Sequence, residues 1–249
     1  MLRWITIVGT LVMLATNGLA NGLPINGKTT GDIADGFDIL FTPAGYVFSI
    51  WGLIYLAVVG FTIFQALPAQ KDDVRLHAIR PWFVLNTAAN AGWILCWHHE
   101  LFVLSLGVMF VIAASLAVIF RHLQASPPRS GIEFLVLHAP FSLYFGWISV
   151  ATLANVTVVL ATLGFTAAMA SPAVTLVLLG LVTVICAVVS LRFADPVYAA
   201  VFVWASVGIG AANSDTAPLL GGSLTVAALC TVFALRAAAK TIRTLRANP

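Results

Sequence analysis

Charge is what this chain has least of: Asp, Glu, Lys and Arg together make up 8% of its 249 residues, against roughly a quarter in an average soluble domain. Hydrophobic residues reach 61% and mean hydropathy is +1.02. So few charges could not cover the surface of a water-soluble globule, which excludes that class. A formal net charge of +3 from twelve bases and nine acids is too weak for a nucleic-acid-binding domain, and the apolar content is too high for a disordered chain. No nucleic acid is therefore expected as a partner. Cysteine is scarce as well. Cys96, Cys186 and Cys230 are scattered through apolar segments without CxxC or Cys/His spacing, which excludes a disulfide scaffold and the common metal sites. Walker, Rossmann, HExxH and GxSxG patterns are all missing, so the chain reads as a protein without a standard catalytic motif and not as an enzyme.

Long apolar runs are what the chain has instead. A bilayer core takes about 20 apolar residues per helix, and eight runs of that order are present, at 4–20, 44–67, 81–97, 101–120, 132–157, 173–191, 197–212 and 219–237. The expected fold class is an all-α integral membrane protein with the lipid bilayer as its main solvent. An even number of spans puts both termini on one side, and Lys and Arg remain preferentially in cytoplasmic loops. Eleven of the twelve bases fall on the terminal side, and Lys28 alone falls on the other. This places both termini in the cytoplasm and the chain, multi-pass, in the inner (cytoplasmic) membrane.

Two segments stay open to more than one reading. The first span, opening Met1-Leu2-Arg3 and ending Gly18-Leu19-Ala20, fits a membrane helix and also a secretory signal peptide. The stretch from Asn21 to Thr42, with turn signals Asn21-Gly22 and Asn26-Gly27, is the one long outer loop. It reads either as a cover over the outer mouth of the bundle or as a solvated connector.

Polar side chains inside lipid are costly, so those within the spans carry information. The second span opens with Pro43, suited to a first helical turn, and then carries Phe48, Trp51 and Tyr55 at spacings that stack three rings on one face. The third carries Asn86, Asn90, Trp93 and Trp97 on one face, with Ala88, Ala89, Ala91 and Gly92 between them. A buried amide such as Asn90 must meet another helix, water or a ligand; interhelical glue and ligand orientation both satisfy it. The fifth span carries His138, Pro140, Tyr144, Trp147, Ser149, Thr152 and Asn155. Trp147 and Asn155 lie just over two turns apart on nearly one face, and Pro140 should distort the helix before them. His98, His99 and Glu100 end the third span, but adjacent helical histidines point about 100 degrees apart and make a poor chelate.

Taken together, Pro43, Gly45, Tyr46, Phe48, Trp51 and Tyr55 in the second span, Asn90 and Trp93 in the third, and Trp147, Ser149, Ala151, Thr152 and Asn155 in the fifth resemble the motifs of the TspO/MBR family. Its members are the tryptophan-rich sensory proteins and the mitochondrial translocator proteins. The resemblance covers residues 1–165 and implies a five-helix TspO-like transmembrane bundle there. Residues 166–249 would then add a three-helix transmembrane extension. It also implies a hydrophobic small-molecule ligand, a flat molecule such as the tetrapyrroles protoporphyrin IX or haem, bound by Trp51, Tyr55, Asn90, Trp93, Tyr144, Trp147 and Asn155. His138 would be a haem ligand in that case, or else a histidine bonded to a backbone carbonyl. Two departures stand out. Pro140 precedes Trp147 by seven residues where the family usually has four, and no basic residue closely follows Tyr144 to complete the cholesterol pattern.

Two functions follow from this reading. One is a ligand-binding membrane protein that senses, regulates or transports a porphyrin-like molecule; the other is a permease for a small hydrophobic solute. The lack of a mid-membrane acid or base disfavours ion coupling. Lys28, Lys71 and Lys240 all lie outside the spans, which excludes a retinal Schiff base. Monomer and homodimer both remain open.

Overall fold

The computed structural model describes residues 1–23 and 25–247, of which 244–247 as backbone only, so the side chain of Arg246 in the charge count lies outside the described residues. All eight apolar runs are helical: α1 (Leu2–Gly22), α2 (Gly45–Ala66), α3 (Val74–His98), α4 (Phe102–Gln124), α5 (Gly131–Met169), α6 (Pro172–Phe193), α7 (Pro196–Ala212) and α8 (Ala217–Ala247). No strand occurs among the described residues. Six of the eight, α1, α2, α4, α5, α6 and α8, are long and apolar enough to cross a bilayer. The other two fall short for separate reasons: α3 is diluted by its polar face, and α7 has only 17 residues, about 25 Å of helix. The chain is an all-α membrane protein.

Three boundaries differ from the sequence reading. Helix α3 begins at Val74, with the Asp73 carboxylate capping the Arg75 N–H at 2.8 Å, so Pro81 sits inside the helix and not at its start. The cap provides the nucleus, and the helix continues through the one lost backbone bond that Pro imposes. Helix α2 opens as a 3₁₀ turn over Gly45–Ser49. Phe48 therefore stands on that turn, and the α-helical ring face begins only with Trp51. Around Pro140 the distortion takes the form of a π turn, Phe134–His138, just upstream. A widened turn accommodates a residue that cannot donate to the preceding one.

Packing divides the chain into two compact units, Met1–Ile33 with Trp51–Ile148, and Ala34–Ile50 with Ser149–Pro249. The division runs inside α2 and α5.

In the first unit α3 is the central rod, packed against α1 and α4. Gly9 lets α1 approach closely, since a Cβ there would lie 2.5 Å from Thr87 Oγ1, the use of small residues expected between membrane helices. Thr10 and Thr62 join α1 to α2 at 2.9 Å. Phe61, Phe83 and Phe141 form an edge-to-face triad with centroids 4.7–5.7 Å apart. One end is tied by ions: Arg75 donates to Asp73 at 2.7 Å and to Glu133 at 2.5 Å, with all three side chains nearly buried. The Arg75 guanidinium holds the Asp73 carboxyl at a pKa of about 2, below its ordinary 3.8.

In the second unit α7 packs on α8 and α6, and α8 on α6. Tyr198, Phe202, Cys186 and Cys230 are buried there, and the two cysteines serve as small core residues, as their apolar settings suggest. Helix α5 is kinked at Gly164, whose φ of +96° turns the chain into its short last segment Thr166–Met169; a residue with a Cβ would be strained at that angle. The segment 37–47 is held by side-chain and backbone donors: Asn213 to the Leu40 carbonyl at 2.9 Å, Trp204 to the Val47 carbonyl at 3.1 Å, and the Ala44 N–H to the Gly208 carbonyl at 3.1 Å.

Candidate functional site

Helical spacing aims Trp51 and Tyr55 of α2, Trp93 and Trp97 of α3, and Tyr144 and Trp147 of α5 at one region of the first unit. Trp51 is the hub. Its ring stacks on Tyr55 (centroids 5.5 Å apart) and Trp93 (6.5 Å) and meets Tyr144 (5.8 Å) and Trp147 (6.2 Å) edge-on. Trp93 in turn stacks on Trp97 at 5.5 Å. These offset and T-shaped arrangements suit the ring quadrupoles. Trp93, Tyr144 and Trp147 are buried, whereas Trp51 and Tyr55 keep part of their surface exposed.

The carboxamide of Asn90 is engaged on both sides. Its Nδ2 donates to the Tyr144 hydroxyl at 2.7 Å and its Oδ1 accepts from Asn17 at 2.6 Å. It thereby links α1, α3 and α5, which is the interhelical role that the sequence left open beside ligand orientation. Asn86 does similar work one turn away, donating to Ser115 of α4 at 3.0 Å. The indole N–H of Trp93 is different: it is buried and has no hydrogen-bond partner among the described residues. A buried unpaired donor costs about 1–3 kcal/mol, and it is the one uncommitted polar group of α3 in the ring cluster. His138, in the π turn, is also buried, with Nε2 unpartnered among the described residues.

Six of the seven residues singled out by sequence, Trp51, Tyr55, Asn90, Trp93, Tyr144 and Trp147, lie in the first unit, and contacts run between them as given above. Asn155 is 2% exposed and belongs to the second unit.

The segment after α1 forms a strap over the end of α3. His98 is 1% exposed, with Nε2 3.1 Å from Thr30 Oγ1 and Nδ1 3.3 Å from the Ile25 carbonyl. Asn26 donates to the His98 carbonyl at 2.9 Å and lies 3.2 Å from His99 Nδ1. The Trp97 indole donates to the Thr30 carbonyl at 3.2 Å, and Lys28 pairs with Glu100 at 2.6 Å. Of the two readings of the Asn21–Thr42 loop, its first part is thus a bonded cover on α3. No group of three His, Cys, Asp or Glu residues suited to a metal ion occurs among the described residues.

Asn17 was the residue that sequence reasoning passed over. Its signal was present, since an amide in an otherwise apolar span must find a partner, but the partner lies 73 residues away.

No curated protein matches the chain, and no solved structure does either. The family described as TSPO-like protein matches residues 3–239. That range takes in α6 and α7 and most of α8 as well as the five helices that carry the motifs. An all-helical membrane chain, matched over almost its whole length and carrying the ring motifs in order on α2, α3 and α5, belongs to the TSPO-like protein family.

Proposed function

We propose that the ring cluster of the first unit binds a flat, hydrophobic molecule of the porphyrin type, and that the protein senses, regulates or carries it in the cell's inner membrane with both termini in the cytoplasm. The observation that supports this most is the convergence of four aromatic rings on Trp51 beside the buried indole N–H of Trp93, which has no hydrogen-bond partner among the described residues. Flat apolar ligands favour aromatic walls with a few oriented polar groups, and a ligand carbonyl or carboxylate would satisfy the Trp93 donor. Tyr55 and Trp51 form the accessible side. Tyr144 and Trp147 form the inner wall, and Asn90 keeps the helices bearing that wall in register.

Titration of the purified protein with protoporphyrin IX, followed by tryptophan fluorescence and the porphyrin absorption band, tests this. Saturable quenching at micromolar ligand is expected, weakened in Trp51→Phe and Trp93→Phe. Absence of quenching, or quenching indifferent to both substitutions, sinks the proposal.

A further inference from the structure

At the end of the first unit that carries residues 1–4, a cavity of about 480 Å³ opens between the start of α1, the α2–α3 connection and the first turns of α3. Arg3, Trp4, Lys71, Asp72, His77 and Arg80 line it. Three of these are permanent cations and one is a carboxylate. Basic residues near a membrane surface are ordinary, and Lys71 alone would signify nothing.

Arg80 makes this cavity unusual. It is 2% exposed and forms no ion pair among the described residues. Its Nε donates to Gln65 Oε1 at 2.9 Å, and its Nη2 donates to the carbonyls of Gln65 and Gln70 at 3.0 and 3.3 Å. Nη1 makes no hydrogen bond among the described residues. Gln65 is itself fixed, donating to the Arg3 carbonyl at 3.2 Å. The guanidinium is thus clamped by neutral acceptors, with one terminal nitrogen uncommitted at a cavity wall. A buried cation without a counter-ion is costly, and the planar fork of Arg suits the oxygens of a phosphate. Arg3 and Lys71 bring two more charges to the same space.

The surroundings extend the argument to lipid. Trp4, 60% exposed, stands at the cavity rim with the Arg3 guanidinium 5.0 Å from its ring. Ile5, Val8, Leu11 and Val12 continue an exposed apolar strip along α1 from that point. A phosphate held by Arg80, Arg3 and Lys71 would leave acyl chains alongside this strip, with the indole at headgroup level.

We propose that this cavity is a phosphate-binding site, with Arg80 as the preorganised fork and Arg3 and Lys71 as the closing charges, occupied by an anionic phospholipid headgroup or by free phosphate. The site is separate from the ring cluster and independent of any porphyrin.

Native mass spectrometry of the full chain, offered equal amounts of phosphatidylglycerol and phosphatidylcholine, tests the lipid source. Because Arg80 also supports the fold, the probing variant is Arg3→Gln with Lys71→Gln, both of which reach solvent. Each lost surface charge is worth roughly fivefold in binding, so wild type should retain phosphatidylglycerol at least about tenfold over phosphatidylcholine, and the double variant should bring the ratio to about one. A second arm measures the thermal midpoint in inorganic phosphate against chloride at equal ionic strength. Stabilisation of wild type but not of the variant, without a lipid preference, assigns the site to free phosphate. If neither arm separates wild type from the variant, the site does not exist; a phosphatidylglycerol preference that survives both substitutions likewise overturns it.

Discussion

Trp147-Ile148-Ser149-Val150 in α5 and Trp204-Ala205-Ser206-Val207 in α7 are near copies in sequence, yet their tryptophans, one in each unit, are used differently. The Trp147 indole is 2% exposed and packs edge-on against Trp51. The Trp204 indole is 37% exposed, donates to the Val47 carbonyl and meets Tyr46 edge-on. The asparagines divide in the same way: Asn90 bonds side chains of two other helices, whereas Asn213 bonds the Leu40 carbonyl of a non-helical segment. The first unit spends its polar side chains on joining rods. The second has an irregular backbone stretch whose carbonyls lack helical partners, and in apolar surroundings these must be satisfied by side chains.

That contrast predicts unequal consequences. The largest concerns Arg75, where Arg75→Met removes the buried guanidinium shared by Asp73 and Glu133 and leaves Asp73 only the exposed Arg129 at 3.6 Å. A loss of about 3–5 kcal/mol is expected for breaking a buried ion cluster, read as a fall in the detergent unfolding midpoint; a loss below about 1 kcal/mol would remove the cluster from the account of the first unit. The same cluster has a pH signature. Because the Asp73 pKa is depressed from 3.8 to about 2, its contribution is complete above pH ~4 and disappears as pH falls toward ~2. Acid titration of stability should show this limb in wild type and lose it in Arg75→Met.

Asn90→Ala should come next, at about 1–3 kcal/mol, since interhelical hydrogen bonds in membranes are worth roughly 0.6–1.7 kcal/mol each and two are lost. Asn213→Ala should cost about 1 kcal/mol, but its mark should be local, as faster hydrogen exchange or proteolysis within 37–47. Equal global losses with no local change would erase the distinction between joining rods and pinning a loop. The smallest effect is expected for Trp204→Phe, about 0.5–1.5 kcal/mol from one hydrogen bond, with faster exchange at 44–47. Trp147→Phe should leave exchange there unchanged and alter the fluorescence of the ring cluster.

Much of this was legible before folding. Long apolar runs impose helices because lipid offers the backbone no other partner, and all eight runs are helical. Periodicity placed Trp51 with Tyr55, and Asn90 with Trp93 and Trp97, on single faces, and their rings do meet. Where the reading slipped, the cause was local capping. Asp73 begins α3 a full two turns before Pro81, and the 3₁₀ turn Gly45–Ser49 takes Phe48 off the helical face.

Composition and spacing alone settled the solvent of this protein, its helical architecture and the faces on which rings and amides are displayed, because each follows from near-neighbour geometry and the cost of burying polar groups. Which amide meets which could not be read that way. The pairing of Asn17 with Asn90, the strap from Thr30 to His98, the clamp on Arg80 and the unpaired Trp93 indole all depend on how separate rods approach one another, and that approach is set by packing between residues far apart in the chain.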